Sequence, residues 1–215
     1  MTERALSRLL AIMLLLGAAL LGVGAVMHPV LAGDAASQLR TINEGKDWRA
    51  IHLLMLAGSG LVAVGIWLRL LLVDGPRAEN RAAIIGALIV ITIGVVINAL
   101  NIAYMAGSGL HLAERFAAGD AGAATIFDAT HPIGLMAARF GNFLVALGAI
   151  VLGAAEWRQA PTRTLAVLAW IAAAGGLIGV LFFHESSRAT LGAIALLSGW
   201  ELVIALNVLR GKTAT

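Results

Sequence analysis

The residues best suited to chemistry are five histidines, His28, His52, His111, His131 and His184, in a chain that has no cysteine. Without thiolates, disulfides, iron–sulfur clusters and cysteine nucleophiles are excluded, and any metal has to be held by His, Met, Asp or Glu. Imidazole is the commonest metal ligand and suits zinc, copper and haem iron, and an added thioether shifts the preference towards Cu(I). His52 and Met55 lie three apart, so a helix would put them on one face, and Met27 adjoins His28. Each methionine taken alone is accounted for by apolar packing.

A second set of polar residues stands inside otherwise apolar sequence: Asn98 and Asn101, Arg139 and Asn142, and Glu201. A charge surrounded by hydrocarbon is costly unless paired, so Arg139 and Glu201 are expected either to neutralise each other across helices or to mark a functional path. No phosphate-binding loop, dinucleotide fingerprint or zinc-protease helix motif occurs. The net charge of +3 comes with no basic stripe, which argues against nucleic acid as a partner.

The elements that must position these residues follow from composition. With 60% hydrophobic residues, 13% charged and a mean hydropathy of +0.92, the surface suits a lipid bilayer and not water. A helix needs roughly 20 apolar residues to cross the hydrocarbon. Six stretches meet that length, at about 6–32, 50–73, 82–106, 132–155, 164–184 and 189–209. The expected fold is therefore all-α, a single integral membrane domain of six transmembrane helices. Polar segments at 33–49 and 107–130 separate the first and third spans from their successors, and Pro132 is expected in the first turn of the fourth. The first span exceeds the apolar length of a cleaved signal and is read as a retained helix.

Orientation comes from the cations. One set of loops holds Arg4, Arg8, Arg69, Arg77, Arg81, Arg158, Arg163, Arg210 and Lys212, against Arg40, Lys46, Arg49, Arg115 and Arg188 on the other. The first set is expected in the cytoplasm of a cell whose inner membrane holds the protein, with both termini there. Trp67 and Trp157 near inner ends and Trp48 near an outer end are expected to anchor at the interfaces.

With this topology all five histidines fall at the outer ends of spans, as do Met27, Met55, Met105 and Met136. Both interfaces of a bilayer tolerate histidine, so the asymmetry points to one shared site at the periplasmic or extracellular face. Its expected cofactor is haem b or copper for electron transfer. The axial or cofactor ligands would come from His28, His52, His131 and His184, and the metal ligands from all five histidines with Met55. In His28-Pro29 and His131-Pro132 the proline pushes the histidine out of helical geometry, which would hold each at an irregular helix end. Counted along the helices, Arg139 and Asn98 lie roughly 10–12 Å below the outer surface and Glu201 roughly 18–20 Å.

Three functions meet these expectations. The first is a redox or metal protein with an outer histidine site, with a quinone or a protein as redox partner. The second is a small transporter or channel whose path runs through Arg139, Asn98 and Glu201. The third is a non-catalytic subunit of a larger membrane complex, or a homo-oligomer.

Overall fold

The computed structural model describes residues 2–70, 80–158, 163–182 and 188–209, without the side chains of 70 and 188–195. The described residues are helical apart from short connections, and none of them is in a strand. The elements are α1 (Glu3–Met27), α2 (Ala35–Glu44), α3 (Trp48–Leu70), α4 (Arg81–Tyr104), a π-helical turn (Met105–Gly109), α5 (Leu110–Ala117), α6 (Gly122–Trp157), α7 (Arg163–Phe182) and α8 (Arg188–Leu209).

Five of the helices are long and apolar enough to cross a membrane: α1, α3, α4 continued into α5, α6 and α7. The described side chains of α8 form a shorter apolar stretch, Leu196–Leu209. Each long helix packs on its neighbour in the chain, α1 on α3, α3 on α4, α4 on α6, α6 on α7 and α7 on α8. The contact of α8 with α1 closes the ring. Large apolar side chains point outward from the ring, among them Val26, Leu100, Ile133, Phe140, Ile171 and Phe182. In water such a belt would drive aggregation; against lipid it costs nothing, so the molecule is a multi-pass membrane bundle.

Two crossings bring backbones unusually close. A Cβ on Gly94 would sit 2.5 Å from the Gly141 carbonyl oxygen, and a Cβ on Gly141 would sit 2.5 Å from that of Gly94. Gly17 and Gly58 face each other in the same reciprocal way between α1 and α3. Only glycine permits these contacts, as expected where helices associate through close packing in lipid.

The core divides in two. One cluster fills the terminal end of the bundle, where α1 starts and α8 stops, with Leu10, Leu14, Ile66, Leu88, Ile91, Leu152 and Trp200 buried together. The other forms a cap at the opposite end, where Leu39 and Ile42 of α2, Trp48 of α3, Met105 of the π turn, Leu112 of α5 and Phe127 of α6 pack together.

The cap departs from the sequence expectation. The segment at 33–49 carries α2, started by Asp34, whose carboxylate accepts from the Ser37 N–H at 2.8 Å. A hydrogen bond from the Ser37 side chain, together with that backbone bond, holds the Asp34 carboxyl below its usual range. The helix expected at 82–106 continues as the π turn and α5, because Leu112 and Ala113 bury into the cap. The fourth long helix starts at Gly122, ten residues before the expected boundary at 132, and carries Pro132 in its interior. Proline there removes one backbone bond, and burial of Ala123 and Phe127 in the cap offsets that loss. His131 is thus part of a helix and not held at a helix end. His28 does sit at one: it follows the last residue of α1 with φ −69° and ψ 121°, extended as the residue before a proline should be. Trp48 is no interfacial anchor; it is 1% exposed, inside the cap. Trp67 and Trp157 are exposed, as an interfacial position requires.

Candidate functional site

Beneath the cap lies a cavity of about 160 Å³. Its lining joins the two residue sets that the sequence keeps apart, for His28, His52, His131 and Met55 line it together with Asn98, Asn101, Arg139 and Asn142. Helices α1, α3, α4 and α6 supply these groups from their capped ends, and Gln38 of α2 and Met105 of the π turn complete the roof.

His28 and His52 are in direct contact, Nε2 to Nε2, at 3.2 Å. The second nitrogen of His52, Nδ1, is 2.8 Å from the carbonyl oxygen of Trp48. A carbonyl only accepts, so Nδ1 carries the hydrogen, and neutral His52 presents the lone pair of Nε2 to His28. Trp48, four residues earlier on the same helix, packs at a tilt against both rings, with centroids 5.0 Å from His28 and 4.5 Å from His52. Its own indole N–H donates to the Met105 carbonyl at 3.0 Å. That carbonyl belongs to the first residue of the π turn, an irregularity of the kind often found at functional sites. The indole thus ties the imidazole pair to the irregular turn in α4.

His131 is placed differently. It stacks on Phe127 with centroids 4.5 Å apart and lies parallel to Tyr104 at 6.5 Å. Thr130 donates its hydroxyl to the Ile126 carbonyl, which leaves its oxygen to accept from the Tyr104 hydroxyl at 2.7 Å. Aromatic contacts therefore fix the ring of His131 within the cavity wall.

Not every expected ligand joins the cavity. His111 is exposed on α5. His184 lies outside the described residues. Met27 and Met136 are half or more exposed on the lipid side of the bundle, whereas Met55 and Met105 line the cavity. Among the described residues, no three His, Cys, Asp or Glu side chains come close enough to hold a metal ion. What the cavity offers a metal is the imidazole pair and the Met55 thioether.

Arg139 and Glu201 are also separated. Arg139 lines the large cavity, and Glu201 lines a void of only about 10 Å³ in the core at the other end, shared with Arg69. Arg69 forms an ion pair with Glu156, with the two side chains 12% and 4% exposed. A cross-helix ion pair is thus found between α3 and α6.

Sequence reasoning missed Gln38, Trp48 and the Arg69–Glu156 pair. The spacing of Leu39 and Ile42 was the available sign of an amphipathic α2, and the four-residue step from Trp48 to His52 was the sign that the two share a face. No family model, no curated protein and no solved structure matches the chain.

Proposed function

We propose that this is a six-span protein of the cell's inner membrane, with cytoplasmic termini, that binds copper(I) under its outer cap through His28, His52 and Met55 for redox or copper handling. The cation distribution and the closing of the ring by α8 favour this topology, in which the capped end faces outward.

The observation that carries the metal reading is the 3.2 Å separation of the two Nε2 atoms. Nitrogens bound about 2.0–2.1 Å from a tetrahedral ion lie about 3.3–3.4 Å apart, so a small inward adjustment of an ion between them satisfies both. The hydrogen bond from His52 to the Trp48 carbonyl is the outer support that metal-bound imidazoles usually have. The Met55 thioether in the same cavity lining favours Cu(I) over zinc. Haem fits less well. Its two axial nitrogens stand about 4 Å apart across the iron. A cavity of about 160 Å³ is close to the roughly 150 Å³ that accommodates benzene, far short of a porphyrin. The channel reading loses support because the cavity holding Arg139 and Asn98 stops above a packed core, with Glu201 in a separate void beyond it.

The test is anaerobic titration of the purified protein with Cu(I) against a chromophoric chelator, with X-ray absorption to count nitrogen and sulfur neighbours. One equivalent is expected, bound through two nitrogens and one sulfur. His28→Ala and His52→Ala should each abolish it, and Met55→Leu should weaken it and remove the sulfur neighbour from the absorption spectrum. Equal retention of copper by wild type and the His28→Ala/His52→Ala double variant sinks the proposal.

A further inference from the structure

The terminal end of the bundle carries exposed cations that its buried ion pair does not use. Arg158 follows the last residue of α6 and Arg163 is the first of α7, two helices that pack together, and both side chains are exposed. Glu156, the carboxylate nearest to them in the chain, is buried and paired with Arg69. Among the described residues neither Arg158 nor Arg163 forms an ion pair.

Both are nonetheless held in place. The Arg163 guanidinium lies over the ring of the exposed Trp157, 5.5 Å from its centroid, and Trp157 packs at a tilt on Trp170 of α7 at 5.4 Å. A ring face holds a cation without supplying an acceptor oxygen, so the N–H donors of Arg163 stay available. Arg158 donates through Nη1 to Oδ1 of Asn80 at 3.1 Å. Asn80 is the N-cap of α4, where asparagine normally turns its side chain to the helix's own N–H groups, yet it makes no such bond. Its side chain is given to Arg158 instead. Because Trp157 and Arg158 are adjacent in the chain, these contacts bring both cations to one edge.

Apolar stripes lead away from that edge. On α7, Val167 and Ile171 follow Arg163 at four-residue steps, and on α6, Val151 and Leu147 precede Arg158 by seven and eleven residues. All four are exposed, and the spacing puts each stripe on the helix face that carries its arginine. Cations above a lipid-facing apolar strip complement a molecule with an anionic head and hydrocarbon tails, and basic groups between transmembrane helices are a recurrent seat for such heads.

We infer that the α6–α7 edge at the terminal end binds an anionic phospholipid, with Arg158 and Arg163 holding its head and the two stripes its chains. The inference rests on the bundle lying in a bilayer, and not on copper or on which side the termini face.

The probes are dioleoylphosphatidylglycerol and dioleoylphosphatidylcholine, which share their chains and differ in net charge. They are offered as an equimolar mixture to the delipidated full-length protein in neutral detergent, and the bound lipid is read by native mass spectrometry. At about 5-fold per arginine, wild type should prefer the anionic lipid by roughly 30-fold. The preference should fall about 5-fold in Arg158→Gln or Arg163→Gln and nearly vanish in the double variant. Arg40→Gln/Arg49→Gln, at two exposed arginines of the capped end, removes the same charge and should leave the preference unchanged. Equal occupancy by the two lipids in wild type overturns the inference, and that comparison needs no variant. So does an equal loss in the two double variants, since net charge alone would then account for the binding. Displacement of the lipid by an equal concentration of inorganic phosphate would show a simple anion site, and would overturn it as well.

Discussion

The two ends of the bundle solve the same problem, polar groups among hydrocarbon, in opposite ways. At the terminal end Arg69 and Glu156 are paired directly, and apolar side chains fill the space around them down to a void of about 10 Å³. At the capped end three histidines, three asparagines, an arginine and a glutamine surround about 160 Å³ of space, and a separate layer of short helices covers it. Packing that is only structural tends towards the first arrangement, because a cavity forfeits both dispersion contacts and hydrogen bonds. The second persists where something is to be bound. On the proposed reading, stability belongs to one end and ligand binding to the other.

The largest effect that can break this contrast is at the ion pair. Arg69→Met should destabilise the protein by ~3–5 kcal/mol, since it takes a paired cation away from the buried Glu156 carboxylate. The double variant Arg69→Met/Glu156→Leu should lose much less than the sum of the two single changes, because both charges leave the buried site together. Thermal unfolding in detergent, followed by circular dichroism, measures both. Strictly additive losses would show that the two side chains do not interact and that the terminal end is held by apolar packing alone.

A smaller effect belongs to the roof of the cavity. Trp48→Phe keeps most of the ring contacts with His28 and His52 but removes the N–H that serves the Met105 carbonyl. A buried acceptor left without its donor costs ~1–3 kcal/mol. The loss should be local, appearing as faster amide hydrogen exchange across residues 105–113 while the core at the terminal end exchanges as before. Uniform acceleration through all helices would mean that the cap and the terminal core unfold as one unit and that the contrast is not one of stability.

How much of this could be read from the sequence follows the same division. The long helices are legible because a span is a property of twenty consecutive residues; the ends expected at 164 and 189 fall within one residue of Arg163 and Arg188. The cap is not, because α2 and α5 are short and amphipathic, with buried faces made by residues from distant parts of the chain, such as Leu39 against Phe127. The histidines at one end of the spans were legible as a set, and His28, His52 and His131 do line one cavity. Their pairing was not, since the contact between His28 and His52 depends on the extended backbone at His28 and on where Trp48 lies. Arg139 and Glu201 were matched by charge and approximate depth, but depth along a helix says nothing about which face a side chain takes. The pair that forms, Arg69 with Glu156, joins residues that the sequence placed in loops or at span ends, where no partner seemed required.

The smallest effect tests the outermost edge of the cap. Arg115, near the end of α5, bonds Asp120 in the turn that leads into α6, through Nε at 2.9 Å and also through Nη2. The Asp120 carboxylate further accepts from the Gly122 N–H at 2.9 Å, at the start of the same helix. The hydrogen bond from Arg115 is the main cause that holds this carboxyl below the ordinary aspartate range. A carboxyl with a depressed value in the folded state stabilises that state above its unfolded value, and the contribution is lost as pH falls through the folded value. Between pH 8 and 5 the turn should therefore be insensitive to acid, and the loss should begin only below the ordinary carboxylate range. Both groups are exposed, so solvent screens the pair and the change in overall unfolding should be smaller than either effect above. Asp120→Asn should remove the acid-dependent component, giving melting temperatures for variant and wild type that converge as the pH is lowered. Curves that stay parallel down to pH 3 would show that the turn is held by its backbone geometry, in which Gly119 takes a φ of +94°, and not by the ion pair.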